Sequence, residues 1–95
     1  MIVTHRRLDS IRPYPGNPRH NHPAIDAVAR SQQEFGYRQP IVVDADGVIV
    51  VGHTRHKAAL KLGLTEVPVH VAAGLTPAQT RAYRLADNRT AAIAT

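Results

Sequence analysis

The stretch Val48–Gly63, V-I-V-V-G-H-T-R-H-K-A-A-L-K-L-G, decides how this chain is read. It opens on four β-branched apolar residues, reaches Gly52, and passes into good helix formers that Gly63 can close. That order describes a buried strand, a glycine-permitted turn and a helix. Gly52 lets the backbone turn sharply, or approach a ligand where a side chain would obstruct. His53, Thr54, Arg55 and Lys57 follow, near a helix start whose unpaired N–H groups and dipole favour an anion. A strand that delivers cationic and hydroxyl side chains to a helix start has the makings of a phosphate site.

Upstream, Gln39–Asp44 (Q-P-I-V-V-D) reads as a strand and Asp44-Ala45-Asp46-Gly47 as a turn, so Val48–Val51 returns as the second arm of a hairpin. Before it lies a helix. Asn21 or His22 can cap it and Pro23 suits its first turn. Ile25, Val28, Ala29, Gln32 and Phe35 form its inward stripe, and Gly36 ends it. Met1–Ile11 suits a short edge strand plus turn. Arg12–Pro23, with four prolines, is a loop long enough to suggest a function beyond connection. Downstream, Glu66–Ala72 alternates as a strand, with Val67, Val69 and Val71 on one face and Pro68 pointing to a sheet edge. Thr76, Pro77 and Gln79 make a capping box that starts the last helix. Ala78, Ala82, Leu85 and Ala86 give that helix its buried face, Arg81, Arg84 and Asn88 share another stripe, and Asp87-Asn88 is a place for a break.

Ninety-five residues, 43% of them hydrophobic, make one small domain over residues 1–95. The apolar pattern still runs at Thr95, as in the front part of a longer chain. No apolar run is long enough to span a bilayer. M-I-V-T-H-R-R is too short and polar for a signal peptide. Zero cysteines exclude disulfides, thiolate zinc sites and a cysteine nucleophile in this chain, and fit a reducing cytoplasm. A formal charge of +5 is compatible with polyanionic partners and also with ordinary solubility.

G-Y-R-Q-P-I-V-V (Gly36–Val43), V-G-H-T-R-H-K-A-A (Val51–Ala59) and L-A-D-N-R (Leu85–Arg89) resemble the successive boxes of the ParB/sulfiredoxin superfamily, in order and spacing. The resemblance covers almost the whole chain. It implies an α+β fold, a short mixed sheet packed by three to four helices around a nucleotide cleft. In ParB-type members the glycine box holds the phosphates of cytidine triphosphate, and a later acidic-Asn pair helps hold magnesium. Sulfiredoxin binds ATP through the corresponding box. Gly52, Arg55 and Ala58 match the glycine box, with Lys57 in place of its later arginine, and Asp87 and Asn88 match the acidic-Asn pair. His53-Thr54 stands where Glu-Arg is usual, and His53 falls where sulfiredoxin has its cysteine, which excludes sulfinic-acid reduction by that route. The resemblance extends the phosphate-binding set to Gln39, Pro40 and, through the looser Asn17-Pro18-Arg19 box, to Arg19. The ending L-A-D-N-R-T-A looks most like ParB-like domains fused in front of phage and plasmid DNA methyltransferases.

Each motif has a plainer alternative. An isolated G-x-x-R is more often the solvated face of a helix, and three ordered boxes reverse that weighting. Asp87 is placed equally well to pair with Arg84 or to meet magnesium, the latter where phosphates supply further ligands. His20, His22, His53 and His56 form no helical i, i+4 pair, so no histidine metal site is expected. Tyr37 and Tyr83 read as packing at the edge of the core. The leading function is therefore a ParB-like module binding CTP or ATP with magnesium, on or near DNA. Its own DNA binding is expected to be weak and non-specific, since no helix carries several base-reading side chains. The alternatives are a nucleotide hydrolase or kinase, and a specificity or docking domain for a C-terminal methyltransferase. A C-terminal DNA-binding domain and a homodimer are the other arrangements left open.

Overall fold

The computed structural model describes residues 2–15 and 22–94, and the side chains of all of these except residues 22 and 88–94. The elements are strand β1 (Thr4–Arg7), a 3₁₀ turn (Leu8–Ser10), helix α1 (His22–Phe35), strands β2 (Ile41–Val43) and β3 (Ile49–Val51), helix α2 (His53–Leu62), strand β4 (Glu66–Val71) and helix α3 (Pro77–Ala94). They form the α+β fold the boxes imply.

The four strands lie in the order β1-β4-β2-β3. β2 and β3 are the antiparallel hairpin, and its turn is held by the Asp44 carboxylate, which accepts the Asp46 and Val48 N–H groups at 2.9 and 3.0 Å. β4 returns through α2 to run parallel to β2 on the inner side of the sheet. β1 completes the far edge, antiparallel to β4. Pro68 therefore does not mark an edge. It sits in an interior strand opposite His5, and the four-residue β1 takes the edge instead.

Ile41, Val43, Ile49, Val67 and Val69 are fully buried and share one core with Leu8, Ile11 and Ala59 of α2. Ile25 and Ala29 of α1 pack on Ala58 of α2, with Val28 and Leu62 at the margin. The stripe expected on α1 departs from this at its last turns. Phe35 is 61% exposed, and Gln32 turns its amide into the interior, where neither amide atom makes a hydrogen bond.

At α3 the expected buried face lies outward, and one residue of the expected polar stripe turns in. Ala78, Ala82, Leu85 and Ala86 are exposed, and Arg84 is the inward residue, its side chain 11% exposed. The capping box forms as expected: Gln79 N donates to Thr76 Oγ1 at 3.1 Å, and Thr76 N donates to Gln79 Oε1 at 2.9 Å. The helix runs through Asp87-Asn88 without a break. Among the described residues, no helix is long and apolar enough to cross a membrane.

Candidate functional site

Gly52 joins β3 to α2 in a left-handed conformation, φ 105° and ψ 28°, that side chains rarely adopt. A Cβ there would lie 3.2 Å from Arg55 Nη2, 3.3 Å from Arg55 Nε and 3.4 Å from Ile41 Cα. The glycine thus does two things. It turns the chain from strand to helix, and it leaves room for the Arg55 guanidinium to lie back across the turn.

Arg55 is fixed in that position. Its Nη1 donates to Gln39 Oε1 at 3.0 Å and its Nη2 to the Pro40 carbonyl at 3.3 Å. Arg55 Nε is buried and makes no hydrogen bond. Gln39 and Pro40, at the entrance to β2, are therefore brought to the glycine turn. They serve as the seat of the arginine. Two donors are spent on that seat, which holds the charge at the helix start without the entropy loss of a free side chain.

No side chain caps the N-terminus of α2, and its first turn contains no acidic residue. The helix dipole and the Arg55 charge thus add with the same sign over the same few ångströms. Asp87 approaches from α3. Its carboxylate lies close enough to the Gly52 N–H and to Arg55 for both to act on it. Burial raises its pKa from the ordinary carboxylate value, and the Gly52 N–H and Arg55 pull it back. Of the two readings of Asp87, the pairing with Arg84 does not occur. Arg84 instead donates through Nε to the Ile49 carbonyl at 3.0 Å and through Nη2 to Asp44 Oδ2 at 3.3 Å.

His53 and His56 are buried on the inner side of α2. His53 Nε2 accepts the Tyr14 backbone N–H at 3.1 Å, which ties the proline-rich loop to the helix start. Burial, then the nearby His56, Arg84 and Lys57, push the His53 pKa down to about 4, so the imidazole is neutral at physiological pH. His56 is lowered for the same first reason, with Lys57 adding to it. Thr54 and Lys57 are half-buried on α2. Arg19 and the Asn88 side chain lie outside the described residues.

Three residues that the sequence did not single out for the site complete its frame. The Tyr14 ring lies under the Arg84 guanidinium, 4.2 Å from centroid to charge, while Asp44 and the β3 backbone take that arginine's donors. Tyr14, Asp44 and Arg84 come together across 30 or more residues of sequence, so no local pattern announces them. Tyr37 reads correctly as a core-edge residue. It is half-buried and packs on the main core, its hydroxyl beside the Gln32 amide without a hydrogen bond of ordinary geometry.

The ParB N-terminal domain profile matches residues 2–89. The chain belongs to the ParB N-terminal domain family. It is 36% identical over 78 residues to the ParB-like nuclease domain-containing protein YnaK of Escherichia coli (strain K12), covering 81% of this chain and 90% of YnaK. It superposes on the C-terminally truncated chromosome-partitioning protein ParB from Caulobacter crescentus complexed with CTP-gamma-S, with TM-score 0.78 and 24% identity. That match covers 95% of this chain and 54% of the Caulobacter ParB, so this ParB N-terminal domain spans about half of that protein. The same ParB complexed to the centromeric parS site matches with TM-score 0.71 and 24% identity, over 90% of this chain and 46% of the other. Sulfiredoxin from Arabidopsis thaliana matches with TM-score 0.67 and 23% identity, over 90% of this chain and 98% of the other. At these identities the superpositions speak to the fold, the α+β frame on which this ParB N-terminal domain builds its glycine turn.

Proposed function

We propose that this domain binds a nucleoside triphosphate, CTP or ATP, with magnesium, and acts on or near DNA. The observation that carries the proposal is the uncapped start of α2 behind a left-handed Gly52, with Arg55 anchored across it by Gln39 and Pro40. Backbone N–H groups and a fixed guanidinium converge there, the helix's own first turn holds no acidic side chain, and Asp87 of α3 is the carboxylate alongside. The Caulobacter neighbour complexed with CTP-gamma-S supports a nucleotide as the ligand, and its parS complex supports work near DNA.

In this reading the phosphates rest on the α2 amides, with the Thr54 hydroxyl, Arg55 and Lys57 around them, and Arg19 is a further cation of the set. The site works by electrostatic preorganisation, since its donors are in place before the charge arrives. Among the described residues, no three His, Asp or Glu side chains group as a metal cage. Asp87 is a single hard oxygen donor at the site, which suits magnesium where phosphate oxygens complete the shell, with Asn88 beside it in sequence. The ion would neutralise phosphate charge. DNA binding by this domain alone is weak and non-specific, and sequence readout belongs to a partner domain. A second copy of the chain, a C-terminal DNA-binding domain and a C-terminal methyltransferase are the protein partners the proposal allows.

Calorimetry and thermal unfolding with CTP, ATP, GTP and UTP, each with and without magnesium, test it. CTP or ATP with magnesium is expected to stabilise the domain by about 2.7 kcal/mol at 100 times the dissociation constant. No heat and no thermal shift with any of the four at millimolar concentration overturns the proposal.

A further inference from the structure

We propose that Arg84 is the positioning residue for the magnesium corner of the site: held between Tyr14, Asp44 and Ile49, it fixes α3 so that Asp87, one turn further on, stands beside Gly52 and Arg55. The inference rests on the reading under Proposed function and adds to it the residues that place its carboxylate.

α3 does not owe its orientation to apolar burial. Ala78, Ala82, Leu85 and Ala86, the stripe its spacing would turn inward, are exposed. Arg84 points in instead, its side chain 11% exposed. Its Nε donates to the Ile49 carbonyl at 3.0 Å, its Nη2 to Asp44 Oδ2 at 3.3 Å, and the Tyr14 ring covers its face at 4.2 Å. A planar group bonded along its edge and stacked on its face can neither slide nor turn, as a lysine ammonium in its place could.

The three partners are themselves held. Asp44 Oδ1 accepts the Asp46 and Val48 N–H groups, which keeps Oδ2 for Arg84. Ile49 gives its N–H to the Arg12 carbonyl at 2.8 Å and its own carbonyl to Arg84, so both its outward backbone groups are committed. Arg12 N donates to the Gly47 carbonyl at 2.9 Å, and two residues later Tyr14 N donates to His53 Nε2 at 3.1 Å. Arg84 therefore docks α3 onto a frame made by the hairpin, its turn and the start of the proline-rich loop.

Helix geometry carries that fix to Asp87. Three residues along an α-helix are about 4.5 Å of rise and about 60° of rotation, so Arg84 and Asp87 share one side of α3. Arg84 spends its donors on Ile49 and Asp44, so Asp87 is not drawn into a pair on its own helix. It lies close enough to the Gly52 N–H and to Arg55 for both to act on it. Turning α3 by one residue step, about 100°, would take both side chains off the body. A single carboxylate serves magnesium only where it is held beside the phosphates, and groups that orient a ligand from behind commonly control metal affinity by about 10–100-fold.

Titrations of the 95-residue chain with CTP and with ATP, in magnesium and in EDTA, compare wild type with Arg84→Lys, Asp44→Asn and Asp87→Asn. Asp44→Asn keeps an oxygen to close the hairpin turn and replaces the one facing Arg84. The Gly52 amide in the ¹H–¹⁵N spectrum of the ligand-free chain is the second readout, since it reports Asp87 without any nucleotide. The affinity gained from magnesium is expected to fall about tenfold in Arg84→Lys and Asp44→Asn, as in Asp87→Asn. The affinity in EDTA should stay within about threefold of wild type, and the Gly52 amide should move toward its Asp87→Asn position. A full magnesium gain and an unmoved Gly52 amide in Asp44→Asn overturn the proposal, even if Arg84→Lys fails to fold, and leave the phosphate site standing. Equal losses in magnesium and in EDTA also overturn it, because loss of stability alone would give them. A wild type with the same affinity in magnesium and in EDTA overturns the magnesium reading, and one that binds neither nucleotide overturns the phosphate site. This inference falls with either.

Discussion

Helix α2 buries Ala58 and Ala59 completely, one against α1 and the other against the sheet, whereas α3 leaves Leu85 54% and Tyr83 44% exposed and sends Arg84 inward. The first helix is held by apolar area and so follows its own periodicity. The second is fixed to the body through a guanidinium that bonds the β3 backbone, the carboxylate of the hairpin turn and a tyrosine face. Apolar burial is spread over many contacts and tolerates loss at any one. An anchor made of one charged group concentrates its strength, and removing it leaves its partners unsatisfied. The two sides meet at the site, because α2 supplies Arg55 and α3 supplies Asp87.

The sharpest way to break this contrast is Arg84→Ala. It removes the donors of Asp44 Oδ2 and the Ile49 carbonyl together with the stacking on Tyr14, and should cost about 2–3 kcal/mol, lowering Tm by roughly 10–20 °C in a domain this small. Urea or thermal unfolding measures it. A loss under half a kcal/mol would mean that α3 is held by something other than its arginine.

Arg55→Ala tests the other charged anchor, on binding. Losing a charge-assisted contact should weaken magnesium nucleotide by roughly 1.5–3 kcal/mol, about one to two decades. Lys57→Ala should weaken it less, because a guanidinium grips oxygens in a fixed fork and an ammonium does not. Equal losses in the two titrations would put the phosphate further along the helix than the glycine turn.

Acid should weaken the α2 side first. His53 is depressed to about 4 in the folded chain against 6.5 as its ordinary value, and His56 is lowered too. The unfolded chain therefore binds more protons than the folded one between these values, and stability is full above pH 6.5 and is lost as pH falls toward 4. Asp87, raised by burial, works against this at the acid end of the window. A net loss on the order of 1–2 kcal/mol is expected from unfolding midpoints at pH 7 and pH 4.5. A flat profile would show that neither histidine is buried in solution.

The smallest effect belongs to Leu85→Gln on the exposed face of α3. It should change stability by less than about 0.5 kcal/mol by thermal unfolding of the isolated chain. A cost near 2 kcal/mol would return Leu85 to the core, where its spacing first placed it.

The contrast also explains what could be read in advance. Val48–Gly63 is local: four apolar β-branched residues, a glycine and helix formers carry the strand, the turn and the helix in one run. The Asp44–Gly47 turn and the Thr76–Gln79 capping box are equally local, and both form as written. Arg84 deceived because a helix wheel assigns arginine to water, and only the fold shows that the Ile49 carbonyl and Asp44 wait 35 and 40 residues away. Pro68 deceived for a related reason. Pro68 lies within β4 opposite His5, between β1 and β2, and no single strand can reveal which neighbours it will have. The glycine box marked the turn at which α2 begins and the arginine that lies across it. It could not show that Gln39 and Pro40 act by seating Arg55.

The most direct test of that central claim is a backbone amide map by ¹H–¹⁵N NMR as magnesium CTP, and separately magnesium ATP, is added to the wild-type chain. The account predicts that the largest shifts fall on the amides of His53, Thr54 and Arg55, with the Arg55 side-chain Nε–H moving alongside them. Saturable shifts elsewhere, with these amides still, would contradict it.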